Sequence, residues 1–249
     1  MLIKILIAPV LILLATLIAR KWGNKVGGWL IAIPLTSAPT AFLLAESEGF
    51  EFAKEAAVGM LLGTASQILF VLAYLRFSRF GPYIALISGT CGFALATVVF
   101  LQFELEPFKG FILVIVALVA SLKFLNHGEL VDYIEITRAK WDLLIRMLTA
   151  TVVVYLITHS SSAIGAHAAG LISPYPILAA ILAHFAYLQQ GRVAAHLSLF
   201  GLLFGLFTPT AFFFLLAALI LQIGYWSFLV ATLTGVAIQI ISGRFLIRK

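Results

Sequence analysis

Charge is scarce in this chain. Only 10% of its 249 residues are Asp, Glu, Lys or Arg, 63% are hydrophobic, and the mean hydropathy is +1.12. A soluble domain carries about 25% charged residues, so an ordinary water-facing surface is excluded and an integral membrane protein is expected. Cysteine is nearly absent as well: Cys91 stands alone in an apolar run, which rules out an intrachain disulfide and any paired-cysteine zinc pattern. The phosphate-loop and zincin signatures are also missing. Proteolysis inside a membrane would need two aspartates at bilayer depth or a serine with a base. Asp132 and Asp142 instead fall in or beside a polar linker, and Ser160, Ser161 and Ser162 beside His159 read as a surface turn. The chain is therefore expected not to be an enzyme and to need neither cofactor nor metal.

Segments of about ten residues alternating apolar and polar are lacking too, which excludes a β-barrel. The formal net charge of +6 does not point to nucleic acid, because the basic residues sit singly or in small clusters beside apolar runs. The expected surroundings are a lipid bilayer, with a small-molecule or lipid substrate, and a homodimer is compatible with the sequence.

What the chain has in abundance is apolar runs long enough for helices that cross a hydrocarbon layer roughly 30 Å thick. Nine are expected: Leu2 to Ala19, Trp29 to Ala45, Phe52 to Leu75, Pro82 to Phe103, Phe108 to Leu125, Trp141 to Thr158, Leu171 to Leu188, Val193 to Leu221 and Tyr225 to Ser242. Between the fifth and sixth, the linker Asn126 to Lys140 carries Glu129, Asp132, Glu135 and Arg138 among apolar residues at helical spacing, as a helix on a membrane surface would. Lys4 and the apolar run after it resemble a signal peptide, but no small-residue cleavage site follows, so the segment is expected to be retained.

The chain also contains one stretch twice. Shifted by 142 positions, Gly28, Gly49, Gly59 and Gly63 fall on Gly170, Gly191, Gly201 and Gly205, and Pro34 falls on Pro176, without a gap. Neither copy carries a glycine that the other lacks. With 19 glycines in 249 residues, chance explains this poorly and an internal repeat explains it well. Five spans separate each span from its copy, so the copy must cross in the opposite direction. The expected fold is an all-α membrane protein of two inverted four-helix repeats, residues 1–103 and 141–249, joined by residues 104–140 with the fifth span and the linker. With the N-terminus outside and the C-terminus cytoplasmic, Lys4, Lys54 and Lys109 alone of the 16 basic residues face outward.

The second and seventh spans carry helix breakers where an uninterrupted helix would otherwise run. Pro34 and Pro39 stand with Thr36, Ser37 and Thr40, and in the copy Pro174 and Pro176 stand with Ser173. Proline leaves carbonyls without their helical donor, and in lipid these need partners from protein or from a water-lined cavity. Broken helices in corresponding positions of two inverted repeats point to a transporter's binding site; the plainer alternative is a pair of satisfied proline kinks. Gln67 matches Pro209, which Thr208 and Thr210 flank, and these polar positions are candidates for a midplane site or for simple bonds between helices. His184, matching Phe42, is a candidate proton carrier or a neutral packing histidine. Glu46 and Glu48 at the outer end of the second span are coupling candidates or a solvated loop with Lys54. Gly59 with Gly63, and Gly201 with Gly205, form small-residue faces for close helix packing, which makes the third and eighth spans central. Tyr83, Trp141 and Trp226 read as aromatic anchors.

The expected function is a secondary transporter or exporter of a small solute in a bacterial inner membrane, rocking one repeat against the other. The alternative is a lipid or polyisoprenoid-lipid translocase. No family resemblance enters this reading, and likeness to inverted-repeat transporters is one of general plan.

Overall fold

The computed structural model describes residues 2–34, 37–103, 105–125, 144–145, 147–148 and 166–248. Thr36, Glu104, the linker Asn126 to Lys140, most of the expected sixth span and the turn His159 to Ser162 lie outside the described residues. Every regular element among the described residues is a helix. The first part of the chain forms α1 (Leu2–Trp22), α2 (Asn24–Ile31), α3 (Ser37–Glu48), α4 (Phe50–Phe77), a 3-10 turn at Ser78–Phe80, α5 (Pro82–Phe100) and α6 (Pro107–Leu125). The later part forms α7 (Ala166–Ile172), α8 (Ile177–Gln190), α9 (Arg192–Gly205), α10 (Phe207–Ile223) and α11 (Trp226–Arg248).

Six of the nine expected spans are helical stretches long and apolar enough to cross a membrane: Phe50–Phe80, Pro82–Phe100, Pro107–Leu125, Gly170–Gln190, Arg192–Ile223 and Trp226–Leu246. The expected second span is divided instead into α2 and α3, of 8 and 12 residues, each too short to cross alone. The division falls at Pro34. Pro39 lies in the first turn of α3, where the amide it lacks has no helical acceptor anyway.

Glycine and proline set the other boundaries. Gly49 and Gly191, 142 positions apart, adopt φ of +90° and +88°, and each joins a helix to the long helix that follows. A Cβ is strained in that conformation. Gly81 precedes Pro82, which opens α5 at a position where its fixed φ suits a helix. Pro209 lies in the first turn of α10 and kinks the α9–α10 run at Leu206; Thr210 N donates to the Leu206 carbonyl at 3.1 Å and the ladder resumes.

The two long stretches form the interior. In α4 every residue from Ala56 to Ser66 is buried, and in α9–α10 so is every residue from Gly201 to Leu206 and from Thr208 to Phe213. The two run antiparallel: Phe50 at the start of α4 packs on Tyr225 just after α10, with ring centroids 5.0 Å apart, while Ser78 after the end of α4 meets His196 near the start of α9 at 2.8 Å. Around them α5, α6 and α11 turn large apolar side chains outward, among them Leu95, Phe124 and Phe245, at 69%, 78% and 60% exposure. Each such side chain would cost about 1.5–3 kcal/mol relative to burial in water; hydrocarbon, as apolar as leucine, removes that cost.

Candidate functional site

Both helix breaks fall beside the middle of a long buried helix, and each is held by residues from the other half of the chain. α2 ends by tightening, with Ala32 N and Ile33 N donating to the carbonyls of Trp29 and Leu30 at 3.4 and 3.3 Å. The Trp29 carbonyl also accepts Nε2 of Gln239, in α11, at 3.0 Å. Gln239 Oε1 in turn accepts the hydroxyl of buried Thr208. The Trp29 indole donates to Ser242 Oγ at 3.0 Å, and that hydroxyl donates to the Gln239 carbonyl at 3.1 Å. Beyond the break, Ala38 N donates to the Pro34 carbonyl at 2.9 Å, so α3 starts with a satisfied acceptor.

The second break is held by a different set of donors. Pro174 and Pro176 are buried, Tyr175 N donates to the Ile172 carbonyl at 2.9 Å, and Pro176 caps α8 with its carbonyl accepting Ala180 N at 2.8 Å. The Pro174 carbonyl accepts the side-chain amide of Gln67 in α4. Tyr175 hydroxyl pairs with Thr90 of α5 at 2.8 Å, and its ring meets the edge of Phe93 at 5.2 Å. Carbonyls freed at a break are expensive to leave unpaired in a dry interior, and here the amides of Gln67 and Gln239 satisfy one at each break.

The glycine faces explain how the short helices reach these positions. A Cβ at Gly59 would stand 2.5 Å from the His167 carbonyl and 3.0 Å from Gly170 Cα; a Cβ at Gly63 would stand 2.8 Å from the Leu171 carbonyl and from Pro174. In the other half, a Cβ at Gly201 would stand 1.8 Å from the Lys25 carbonyl, at Gly28 1.7 Å from the Ser198 carbonyl, and at Gly205 2.6 Å from the Trp29 carbonyl. α7 thus lies in the glycine face of α4, and α2 in that of α9.

Three contacts recur with both partners shifted by 142 positions. Gly59 meets Gly170 as Gly201 meets the turn of α2 at Gly28. Thr97 donates to Ser66 at 3.2 Å, at the positions equivalent to Gln239 and Thr208. Tyr83 meets His184 with ring centroids 5.2 Å apart, as Tyr225 meets Phe42 at 5.6 Å.

The remaining candidates are scattered. Ser37 is buried at the start of α3 and Thr40 is half-buried one turn on. Thr210 hydroxyl donates within its own helix to the Leu206 carbonyl at 2.7 Å. His184 is half-buried, near the turn that opens α5, and its Nδ1 has no hydrogen-bond partner among the described residues. Glu46 and Glu48 are exposed. Glu46 accepts the hydroxyl of Tyr225, a bond that, with some burial and the carboxylate charge, holds that phenol's pKa above its ordinary value. No cluster of metal-ligating residues occurs among the described residues.

Gln239, Trp29, Ser242, Tyr175 and Thr90 escaped the sequence reading. Gln239 had a signal, an amide within an otherwise apolar run at the position equivalent to Thr97, but it lies beyond the repeated glycines. No family model, curated protein or solved structure matches this chain.

Proposed function

We propose that the chain is a secondary transporter of a small solute, built from two inverted four-helix repeats in a nine-span plan and working by alternating access. The observation that carries this reading is the pairing of the two breaks. Each short helix lies in the glycine face of the other half's long helix, those long helices run antiparallel, and the break beside each is held by a glutamine. Discontinuous helices at corresponding positions of oppositely oriented repeats are where substrate sites of such transporters lie. Because each short helix is packed on the long helix of the other half, the bodies that would rock are α2 with α9–α10 and α7 with α4, and their relative motion would change access to the breaks from opposite sides. The inner membrane of a bacterium, an outward N-terminus and proton coupling through His184, Glu46 or Glu48 belong to the same proposal.

The test is a thermal-stability screen of purified protein against soluble metabolites and lipid headgroup analogues. A ligand of the folded state raises the melting temperature by mass action. The expected outcome is a soluble metabolite that stabilises the native chain and fails to stabilise Gln67→Ala. Stabilisation by lipids alone, equal in the variant, overturns the midplane solute site. It would move the function to the second reading, a lipid or polyisoprenoid-lipid translocase. One observation favours that reading: an apolar cavity beside α6 whose rim residues Val119 and Ile241 are exposed on the outer surface.

A further inference from the structure

The two bodies that alternating access would move against each other also meet at the ends of the bundle, away from the breaks. One body holds α2, α9–α10 and α11, tied by Trp29, Gln239 and Ser242. It includes α8, whose Gln190 accepts the side-chain amide of buried Asn24 in α2 at 2.7 Å. The other body holds α4 with α7 in its glycine face. It includes α5, where a Cβ at Gly89 would stand 3.0 Å from the Phe70 ring of α4, and α3, joined to α4 through Gly49.

At the end that carries Arg76, Arg79 and Arg192, buried Ser78 bridges the bodies. Its Oγ lies 2.8 Å from Nε2 of His196 in α9 and donates to the Leu75 carbonyl at 2.8 Å. A hydroxyl has one proton to give, so with that proton on the Leu75 carbonyl the imidazole is the donor to Oγ. The Ser78 carbonyl accepts the Tyr187 hydroxyl of α8 at 2.8 Å, and Tyr83 of α5 packs on His184 of α8. At the opposite end, which carries Glu46, Glu48 and Glu51, Tyr225 packs on Phe50 of α4 and Phe42 of α3. There Phe42 also meets Phe228 of α11 at 5.3 Å, and the Tyr225 hydroxyl donates to Glu46. Tyr83 with His184 and Tyr225 with Phe42 are one contact shifted by 142 positions, and the two copies fall at opposite ends of the bundle.

One hydroxyl at the first end is left over. Tyr74, one turn before Ser78 on α4, is 0% exposed, and its phenol oxygen has no hydrogen-bond partner among the described residues. A buried donor without an acceptor is unfavourable, and water entering between the bodies would relieve it. We propose that these two sets of side chains are the gates of the pathway: Ser78, His196 and Tyr187 close the arginine-bearing end, and Tyr225, Phe50 and Phe42 close the acidic end. Tyr74 biases the first gate toward opening. The proposal rests on the alternating-access reading. Both sets are in contact, so the structure is closed at both ends. Opening the first gate exchanges hydrogen bonds for bonds to water, whereas opening the second parts a cluster of rings.

The test uses the full chain in sealed membrane vesicles of both orientations. Cys91, the single native cysteine, is replaced by alanine, and one reporter cysteine is placed at either break, Ser37→Cys or Ser173→Cys. The reporter is reacted with a membrane-impermeant maleimide. Losing one hydrogen bond shifts a two-state equilibrium by about two- to tenfold. His196→Leu and Ser78→Ala should therefore raise the labelling rate by that factor from the Arg192 side alone, and Tyr225→Ala should raise it from the Glu46 side alone. Tyr74→Phe should act in the opposite sense, slowing labelling from the Arg192 side by about fivefold without lowering the Tm, a result that general loosening of the fold cannot mimic. Faster labelling from both sides in a gate variant, or rates unchanged by His196→Leu, Ser78→Ala and Tyr74→Phe, overturns the gates; alternating access then stands if the reporters of the otherwise native chain still react. Reporters that react from neither side in every variant overturn both.

Discussion

The two breaks face the same demand and answer it with different residues. At the second, Gln67 reaches across from α4 to the Pro174 carbonyl; at the first, Gln239 reaches from α11 to the Trp29 carbonyl with Thr208 bracing it. The two glutamines are not equivalent positions, since Gln67 matches Pro209 and Gln239 matches Thr97. What the two halves share is the place where the backbone is interrupted and the closeness of the long helix beside it. Geometry recurs because glycine fixes it, whereas a hydrogen-bond donor only has to arrive from some direction.

The largest effects should come from the crossing glycines, and they should be unequal. A Cβ at Gly28 or Gly201 would lie 1.7 or 1.8 Å from a backbone carbonyl, against 2.3 or 2.5 Å at Gly170 or Gly59. Backbone cannot swing aside as a flexible side chain can, so overpacking here should exceed the usual cost of about 1–3 kcal/mol. Gly28→Ala and Gly201→Ala are expected to give aggregated protein by size-exclusion chromatography, and Gly59→Ala a folded protein with a lowered Tm. Native-like Tm values for Gly28→Ala would show that the two crossings are not as close as described.

Next come the glutamines. Gln239→Leu removes one of two donors to the Trp29 carbonyl, leaving Ala32 N at 3.4 Å, and strands the Thr208 hydroxyl, while Gln67→Leu removes the donor to the Pro174 carbonyl. A buried polar group left unpaired costs about 1–3 kcal/mol, so both should lower the Tm, with Gln239→Leu the lower. Equal Tm values would mean that Thr208 finds a second acceptor.

A smaller and equal effect is expected at the joints. Gly49 and Gly191 hold nearly the same positive φ, and a Cβ at either would meet nothing within 4 Å. Alanine there is strained by backbone conformation alone, at about 1–2 kcal/mol. Gly49→Ala and Gly191→Ala should therefore shift the Tm by the same amount. A difference of more than a few degrees would break the correspondence between the halves at the point where it is tightest.

Much of this arrangement is legible in the sequence, and the residues show where legibility stops. Gly49 and Gly191 announce a joint because few other residues tolerate that conformation, and Pro34, Pro174 and Pro176 announce breaks because an imide cannot donate. Gly59, Gly63, Gly201 and Gly205 announce that a backbone comes close, but not whose. The faces make the third and eighth spans central, and it is α7 and α2 that fill them. Pro39 reads as a breaker by type and is harmless by position, since the helix starts only two residues before it. Gln239 and Tyr175 act across the two halves, a pairing that no local pattern encodes. The apolar cavity beside α6 is likewise invisible in one dimension, because its walls come from three elements far apart in the sequence.

The smallest structural effect, and the one with most bearing on mechanism, is expected at His184. Its copy, Phe42, packs on Tyr225 as His184 packs on Tyr83, so the site accommodates a benzyl ring in one half and an imidazole in the other. His184→Phe makes the halves alike. The Nδ1 it removes has no partner among the described residues, and taking away such a polar atom is close to neutral or stabilising, so the Tm should stay level or rise slightly. If the imidazole serves only packing, transport by the variant would keep its pH dependence. If His184 is where the second half acquired a proton-carrying group, the variant should fold as before while transport loses its response to pH across the range in which histidine titrates. The second outcome is the one expected. Transport with an unaltered pH profile in a stable His184→Phe protein would remove this residue from the coupling and leave the acidic pair at Glu46 and Glu48 as the remaining candidates.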